Sequence, residues 1–187
     1  MDDATNGAAA LDEDDRALAV AETKSVLRIG ADDEDELIGT LLDSALGVAE
    51  AFLGLVLIDR TMTLRCRVAR GWERFPATPV SAIGDVAAVA PDGTTTPLPV
   101  DAYALEIDSD GDGWIRLVGT RPAIVAATVS AGLAADWNSL PAAIRQGIVM
   151  LAAYLYDRRD GADAPPAAVT ALWRPFRRMR LDARVPA

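Results

Sequence analysis

The residues best suited to chemistry lie in one short acidic run, Asp108-Ser109-Asp110-Gly111-Asp112-Gly113. The run matches the first half of a calcium loop, with oxygen ligands at positions 1, 3 and 5 and glycine at position 6. Position 12, where a bidentate glutamate completes the coordination shell, is Gly119. Aspartate and glycine are also the residues that tight hairpin turns require. The run therefore favours a hairpin turn, with a calcium-dependent binding module that uses Asp108, Asp110 and Asp112 as the alternative function.

The composition removes most other catalytic groups. The chain has no histidine, one cysteine (Cys66) and one lysine (Lys24). It therefore lacks the commonest general base, the usual zinc ligand and any histidine-activated nucleophile. No glycine-rich stretch ends in Lys-Ser or Lys-Thr to hold a phosphate. We predict that the protein is not an enzyme and needs neither a cofactor nor a metal; a carboxylate-only hydrolase with Asp136 or Glu106 as its base stays as a further alternative.

The C-terminal segment, residues 162–187, carries the clearest candidate for partner binding. Five arginines between Arg174 and Arg184 are spaced among aromatic and aliphatic side chains. Arginine pairs with carboxylates through two parallel hydrogen bonds, and arginine and aromatic residues are enriched where interfaces gain most of their energy. A solvated terminus without a partner is the alternative. The candidate contact residues are Trp173, Arg174, Phe176, Arg177, Arg178, Met179, Arg180 and Leu181.

The charge is distributed unevenly along the chain. The net charge is -10; residues 1–60 carry 15 acidic and 4 basic groups, whereas residues 145–187 carry 4 acidic and 8 basic groups. An acidic body repels nucleic acid, because nucleic-acid binding depends on lysine and arginine neutralising phosphates. A basic tail on such a body indicates an acidic protein partner or a neighbouring copy of the same chain.

The termini and the cysteine count indicate a soluble, cytoplasmic protein. Residues 1–15 are acidic and polar, unlike a signal peptide, and too poor in apolar side chains to fold alone, so we predict a disordered acidic arm. No segment approaches the roughly 20 apolar residues that span a bilayer. With Cys66 alone, no disulfide within the chain is possible, and the alternation of apolar residues around Cys66 predicts a core position.

Hydrophobic periodicity predicts an α+β fold, in which a helical frame holds an inserted antiparallel β-domain. The helical core comprises residues 16–54 and 140–161, with a second helix capped by Asp32 or Asp33 and ended by Gly54. The β-domain covers residues 55–139. Its predicted strands are Thr61–Val68, Ile83–Val89, Thr94–Leu98, Tyr103–Ile107, Trp114–Val118 and Ile124–Ala131, and a short helix, Ala167–Trp173, follows the frame.

The late helix, Leu140 to Asp160, is apolar around most of its circumference. Ile144, Ile148, Leu151 and Leu155 form a stripe toward a core, and Gly161 is the predicted stop. A helix that is apolar on nearly every side is normally enclosed by protein on more than one side. Either it lies centrally in a monomer core, or one side faces a neighbouring subunit through Val149, Tyr154 and Tyr156.

The order of these elements resembles the phage head-tail connector proteins, also called adaptor or head-completion proteins, including those of prophages and gene transfer agents. The resemblance covers roughly residues 20 to 160. A long acidic N-terminal arm and the Asp108 to Gly113 tip depart from it. The residues that carry it are Asp32-Asp33-Glu34-Asp35-Glu36-Leu37-Ile38, Ala49-Glu50-Ala51-Phe52-Leu53-Gly54, Phe75-Pro76, Pro79-Val80 leading into Ile83, Pro91-Asp92-Gly93, Leu140-Pro141-Ala142-Ala143-Ile144-Arg145-Gln146, and residues 151–159.

The resemblance implies a structural role without catalysis. Such proteins form a ring, usually a dodecamer, that docks under the portal protein at the head vertex and continues the DNA channel toward a stopper or tail-completion protein. The C-terminal segment often grips the portal, which implies that role for Trp173 to Leu181. The implied location is the neck of a virion or phage-like particle assembled in the host cytoplasm, away from membranes, with DNA passing through without specific binding.

Overall fold

A computed structural model describes residues 11–119, 122–158 and 165–178. The α+β class is confirmed, since these residues form four α-helices and two antiparallel sheets that together contain seven strands. The helices are α1 (Glu13–Leu27), α2 (Asp35–Leu53), α3 (Ala142–Asp157) and α4 (Ala167–Trp173). The strands are β1 (Arg60–Arg67), β2 (Glu73–Arg74), β3 (Val80–Val89), β4 (Thr95–Pro97), β5 (Tyr103–Ile107), β6 (Gly113–Leu117) and β7 (Ile124–Ala131), and single 3-10 turns lie at Val100–Ala102 and Arg174–Phe176.

Helix α1 begins earlier than its charge pattern predicts. Asp12 caps it by accepting a hydrogen bond from the Asp15 backbone N–H at 2.8 Å. Residues 13–15, which the sequence assigns to a disordered arm, are therefore helical, while residues 1–10 lie outside the described part of the chain. The helix ends where Arg28 adopts a left-handed conformation, with φ of 60°.

Helix α2 begins without the predicted aspartate cap. Its first flanking residue, Glu34, makes no side-chain capping bond. Asp32 instead pairs with Lys24 of α1, whose ammonium also contacts Asp35, both at 2.6 Å. The predicted stop is confirmed: Gly54 has φ of 69°, and its N–H donates to the Glu50 carbonyl oxygen at 2.8 Å.

The inserted β-domain contains a four-stranded sheet in the order β1-β7-β3-β4 and a three-stranded sheet in the order β2-β6-β5. Strand β1 alternates as its period-two pattern predicts, with Met62, Leu64 and Cys66 buried. Strand β3 starts at Val80, before the predicted Ile83, and two irregularities interrupt its register with β7. Such bulges break the alternation that marks a strand in a sequence.

Helix α3 begins at Ala142, two residues after the predicted Leu140, and Pro141 occupies its N-cap position. It ends at Asp157, and Gly161, the predicted stop, lies outside the described residues. Ile144, Ile148 and Leu151 are buried in the helical core as predicted. Among the described helices, none is both long enough and apolar enough to cross a bilayer.

Two hydrophobic clusters, one among the helices and one in the β-domain, are joined by an ion pair. Glu50, near the end of α2, is 9% exposed. Its carboxylate accepts bonds from both terminal guanidinium nitrogens of Arg60 and from the Leu57 N–H, each at 2.8 Å. Because Arg60 is the first residue of β1, this one carboxylate connects the helical frame to the sheet.

A second buried carboxylate connects the start of the chain to the turn before α3. Asp15 is 6% exposed, and its side chain accepts the backbone N–H of Trp137 at 2.9 Å. Burial, only partly offset by that hydrogen bond, raises the pKa of the Asp15 carboxyl, and the neighbouring charges of Asp12 and Asp136 raise it further. The folded state therefore binds this proton more tightly than the unfolded state does.

The raised pKa of Asp15 predicts how the stability of the fold changes with pH. Stability from the protonated Asp15 is fully present below the ordinary value of 3.8 and is lost as the pH rises through the raised pKa. Asp15→Asn keeps an acceptor for Trp137 and removes the buried charge, so we expect a higher free energy of unfolding at pH 7 and a shrinking difference below pH 4. Asp15→Ala leaves a buried N–H unpaired and should cost about 1–3 kcal/mol. Urea unfolding at both pH values measures each change; an asparagine variant less stable at pH 7 would contradict the argument.

Candidate partner-binding site

Trp173, the first predicted portal contact, belongs to the core of its own chain. Its ring is 0% exposed, and its Nε1 donates to the Ile144 carbonyl oxygen at 3.2 Å. A tilted contact to the Phe52 ring has a centroid distance of 5.8 Å. The indole lies so close to Gly147 that a Cβ there would be 2.2 Å from Nε1. Helix α4 folds back onto α3 and buries the side chain, which does not favour a partner contact of Trp173; that contact stays a prediction.

The arginines that follow Trp173 differ in their surroundings. Arg174 and Arg177 are exposed, and the Arg177 guanidinium lies over the Phe52 ring, 5.3 Å from its centroid. Phe176 is half-buried against the helical cluster. Met179, Arg180 and Leu181 lie outside the described residues. The described part of the segment thus offers two exposed arginines, beside an anchoring tryptophan, for a partner.

Arg178 fastens the end of this segment to the β-domain. Its backbone N–H donates to the Leu53 carbonyl oxygen at 3.1 Å. Its side chain donates to Thr78 Oγ1 at 2.8 Å and to Asp112 Oδ1 at 3.1 Å, and it also contacts the Asp110 carbonyl oxygen. The sequence pattern around Arg178 does not indicate these bonds, because each partner lies 66 or more positions away in the chain. Arg178, predicted as a partner contact, is occupied within its own chain.

The acidic run forms the tip of the β5–β6 hairpin. Asp108 Oδ1 accepts the N–H groups of Asp110 and Asp112, both at 2.9 Å, and Oδ2 accepts Trp114 Nε1 at 2.8 Å. The Trp114 hydrogen bond, and after it the Asp112 N–H, lower the pKa of the Asp108 carboxyl. Gly111 has φ of 77°, which suits glycine at this turn. The hairpin turn is confirmed.

The calcium alternative does not fit these bonds. Asp112 Oδ1 faces two arginines, Arg178 at 3.1 Å and Arg74 at 3.3 Å, and both carboxylate oxygens of Asp108 accept N–H groups of the hairpin. Within the described residues, no group of three acidic or cysteine side chains converges so as to hold a metal ion. The carboxylates of Asp108 and Asp112 thus form the hairpin and bind Arg74 and Arg178, which leaves the exposed Asp110 as the remaining carboxylate of the three candidate ligands.

The two carboxylates of the hydrolase alternative have ordinary structural surroundings. Asp136 accepts the Ser139 N–H at 2.7 Å, and the hydrogen bonds from Ser139 lower the pKa of its carboxyl. A general base at neutral pH requires a shift in the opposite direction. Glu106 is exposed on β5. Neither residue therefore has the surroundings of a catalytic base.

A groove of about 770 Å³ lies between α1 and the start of α2. The two basic side chains in its lining are both paired: Arg16 with Asp43, and Lys24 with Asp32 and Asp35. These pairs leave neither cation available as an isolated anion site, and the acidic residues in the lining add negative charge.

The predicted subunit-interface residues on α3 divide into two groups. Val149 is 4% exposed within its own chain, which does not favour its assignment to a subunit interface; the assignment stays a prediction. Tyr154 and Tyr156 are half-buried; the Tyr156 hydroxyl donates to Glu34, and Arg158 lies 5.3 Å from the Tyr154 ring centroid. Their contact with a neighbouring subunit stays a prediction.

The whole chain is similar to solved chains of gene transfer agent (GTA) particles. A chain in the neck of an empty GTA particle, computed with C6 symmetry, has a TM-score of 0.75 and 27% sequence identity over 100% of both chains. A chain in the neck of a native GTA particle, computed with C12 symmetry, has a TM-score of 0.72 and 26% sequence identity over 100% of both chains. A chain in the virion of the native GTA particle has a TM-score of 0.71 and 29% sequence identity over 95% of this chain and 96% of that chain. No family model and no curated protein matches this sequence.

These similarities agree with the features found in the chain itself. They extend over the helical frame, the inserted β-domain and the C-terminal segment together, since two of them cover 100% of both chains. Necks computed with sixfold and twelvefold symmetry support an oligomeric ring. The fold and the comparisons together support a structural neck or connector protein of a phage-like particle.

Proposed function

We propose that this chain is the head-tail adaptor of a phage-like particle. A ring of its copies, which we expect to be a dodecamer, docks on the portal protein and extends the DNA channel toward a stopper or tail-completion protein. The full-length similarity to a GTA neck chain, with a TM-score of 0.75, carries this proposal. The chain acts through shape and interfaces, and no step of the proposal requires catalysis.

The charge distribution suits a conduit for DNA. With a net charge of -10, the body cannot neutralise many phosphates, so DNA passes without specific binding. The basic groups are concentrated from residue 145 onward, and among them Arg174 and Arg177 are exposed. Electrostatic repulsion from most of the surface therefore restricts an acidic partner to the C-terminal segment.

The portal contact is proposed at the exposed arginines of that segment. Trp173 is buried and Arg178 is bonded to Asp112, so both ends of the described segment are held against the body. Arg174 and Arg177 lie between these anchors and face outward. A pre-positioned arginine pair loses less conformational entropy on binding than a free tail does. Met179, Arg180 and Leu181 would extend the same contact.

A charge reversal at these two positions tests the portal contact. Arg174→Glu combined with Arg177→Glu should weaken binding to the purified portal ring at least tenfold, because each charge-assisted bond contributes about 1.5–3 kcal/mol. Isothermal calorimetry measures the affinity. Arg65→Glu combined with Arg67→Glu makes the same charge change at exposed positions of β1 and should bind like the unmodified chain. Equal affinity of all three proteins would contradict the proposed contact.

The adaptor role is tested by removing the chain from particle assembly. Cells that lack it should accumulate heads without tails, because the ring that joins the two is missing. Electron microscopy of the purified particles shows the outcome, and supplying the chain from a plasmid should restore tailed particles. Normal tailed particles formed in its absence would refute the proposed function.

A further inference from the structure

From Leu37 onward, the outer face of α2 carries no charge. Between Leu37 and Leu53 the charged residues are Asp43 and Glu50. Asp43 pairs with Arg16 of α1, and Glu50 pairs with Arg60 of β1, so both point toward the chain's own elements. One quarter of the whole chain is charged, which makes an uncharged solvent-facing stripe unusual. We call this stripe the outer α2 face; its residues are Leu37, Thr40, Leu41, Ser44, Val48 and Ala51.

The outer α2 face is long, continuous and partly apolar. Leu37 is 39% exposed and Val48 is 38% exposed, and Leu41 between them is half-buried. The residues recur every three or four positions, which aligns them along one side of the helix. From Leu37 to Ala51 the stripe is about 21 Å long at the rise of an α-helix. A surface of this length suits helix packing against another protein.

The hydroxyl groups on the outer α2 face already have hydrogen-bond partners in their own helix. Thr40 Oγ1 donates to the Glu36 carbonyl oxygen, and Ser44 Oγ donates to the Thr40 carbonyl oxygen, both at 3.0 Å. A hydroxyl that is already hydrogen-bonded can leave water without the cost of an unpaired group. A partner could therefore cover the outer α2 face without supplying polar contacts for its hydroxyl groups.

Glycine usage in the helices gives a second, independent indication. A Cβ on Gly39 would meet the Arg16 side chain at 2.6 Å, and one on Gly147 would meet Trp173 at 2.2 Å. Close packing inside the chain explains both glycines. Gly47, at the edge of the outer α2 face, has nothing within 4 Å of an added Cβ, although glycine inside a helix costs about 1 kcal/mol relative to alanine. Packing within the chain does not account for Gly47, whereas a closely approaching neighbour would.

We infer that the outer α2 face packs against the next copy of this chain in the neck ring, an inference that rests on the proposed ring adaptor. Copies that each carry a charge of -10 repel one another, so their contact is most favourable where charge is absent. In a closed ring each subunit contributes two different surfaces to its neighbours. The outer α2 face is one of those two surfaces, and the other lies on the adjacent copy.

Photo-crosslinking identifies what covers this face. A benzophenone amino acid is introduced in place of Leu37, at the end of the stripe where its size disturbs packing least, and the assembled particles are purified and irradiated. The expected product has twice the mass of the chain, and mass spectrometry should show two copies of the same sequence joined at residue 37. A crosslink to a different protein, or no crosslink from a chain that is present in the particles, overturns the inference while leaving the proposed adaptor role intact. Absence of the chain from the particles overturns both.

A charge placed on the face gives a second test. Val48→Asp should reduce incorporation into particles at least tenfold, because the aspartate would be buried against another acidic copy. Val100→Asp makes the same change at a residue that is 81% exposed, outside the outer α2 face, and should be incorporated normally. Circular dichroism should show both variants folded, since both positions are on the surface. Incorporation of Val48→Asp at the level of Val100→Asp would overturn the inference.

Discussion

Glu50→Ala is expected to destabilise the chain by about 3–5 kcal/mol, the cost of leaving one member of a buried ion pair without its partner. The alanine would strand Arg60, whose side chain is 16% exposed, and would also leave the Leu57 N–H unpaired. In a chain of 187 residues this corresponds to a Tm lower by roughly 6–20 °C. Differential scanning calorimetry measures the shift. The effect is large because Glu50 joins α2 to the start of β1.

Two control variants separate the buried pair from ion pairs in general. Asp32→Ala removes the ion pair between Asp32 and Lys24. The Asp32 side chain is 88% exposed, so the Tm of this variant should stay close to that of the unmodified chain. Glu50→Met combined with Arg60→Met removes both buried charges and should recover part of the stability lost by Glu50→Ala. If Glu50→Ala were no worse than Asp32→Ala, the carboxylate would not connect the two parts of the fold.

Trp173→Ala is expected to cost about 3–5 kcal/mol, as for other fully buried aromatic side chains in protein cores. The substitution removes the contact to Phe52 and the bond to the Ile144 carbonyl oxygen, and it opens a cavity above Gly147. Helix α4 should then separate from α3, so that the backbone after Arg177 becomes loose enough for trypsin to cleave; the Arg174–Pro175 bond resists this protease in any case. Urea unfolding gives the stability loss, and the rate of cleavage after Arg177 reports the local separation.

Trp72→Ala is the matched control for this variant. Trp72 is 38% exposed and contacts the Arg116 guanidinium at 5.0 Å from its ring centroid. Removing it should change the free energy of unfolding by less than about 1 kcal/mol, and cleavage after α4 should stay slow. If Trp173→Ala behaved like Trp72→Ala, the C-terminal segment would not be anchored through its tryptophan.

Secondary structure followed from local pattern where one face of an element is buried. Strand β7 and helix α4 have the bounds that their sequences predict, Ile124–Ala131 and Ala167–Trp173. The end of α2 at Gly54 and the hairpin turn at Asp108 could likewise be predicted from the sequence, because they depend on bonds among residues a few positions apart. Strand β3 was shortened in the prediction because bulges interrupt its alternation.

The partner-binding residues were harder to predict, because exposure depends on which distant element returns to cover a side chain. The apolar circumference of α3 indicated a subunit interface at Val149, yet the core of its own chain covers that residue. The arginine-rich tail indicated Trp173 as a contact, yet its indole fills the space above Gly147. Leu37 and Val48 of α2 follow the same helical spacing as the buried Leu42 and Ala45, so the sequence pattern does not show that they stay exposed.

The sequence by itself determined the α+β class, the order of the helices and of the strands apart from the two-residue β2, the absence of histidine chemistry and the acidic charge that disfavours nucleic-acid binding. These properties follow from composition and from contacts between near neighbours in the chain. The tertiary structure alone decided which apolar surfaces are satisfied internally and which stay open, since that depends on long-range partners such as Trp173 with Ile144 and Arg178 with Asp112. It covers Val149 on α3 and leaves the outer α2 face exposed, where we propose the contact with the next copy.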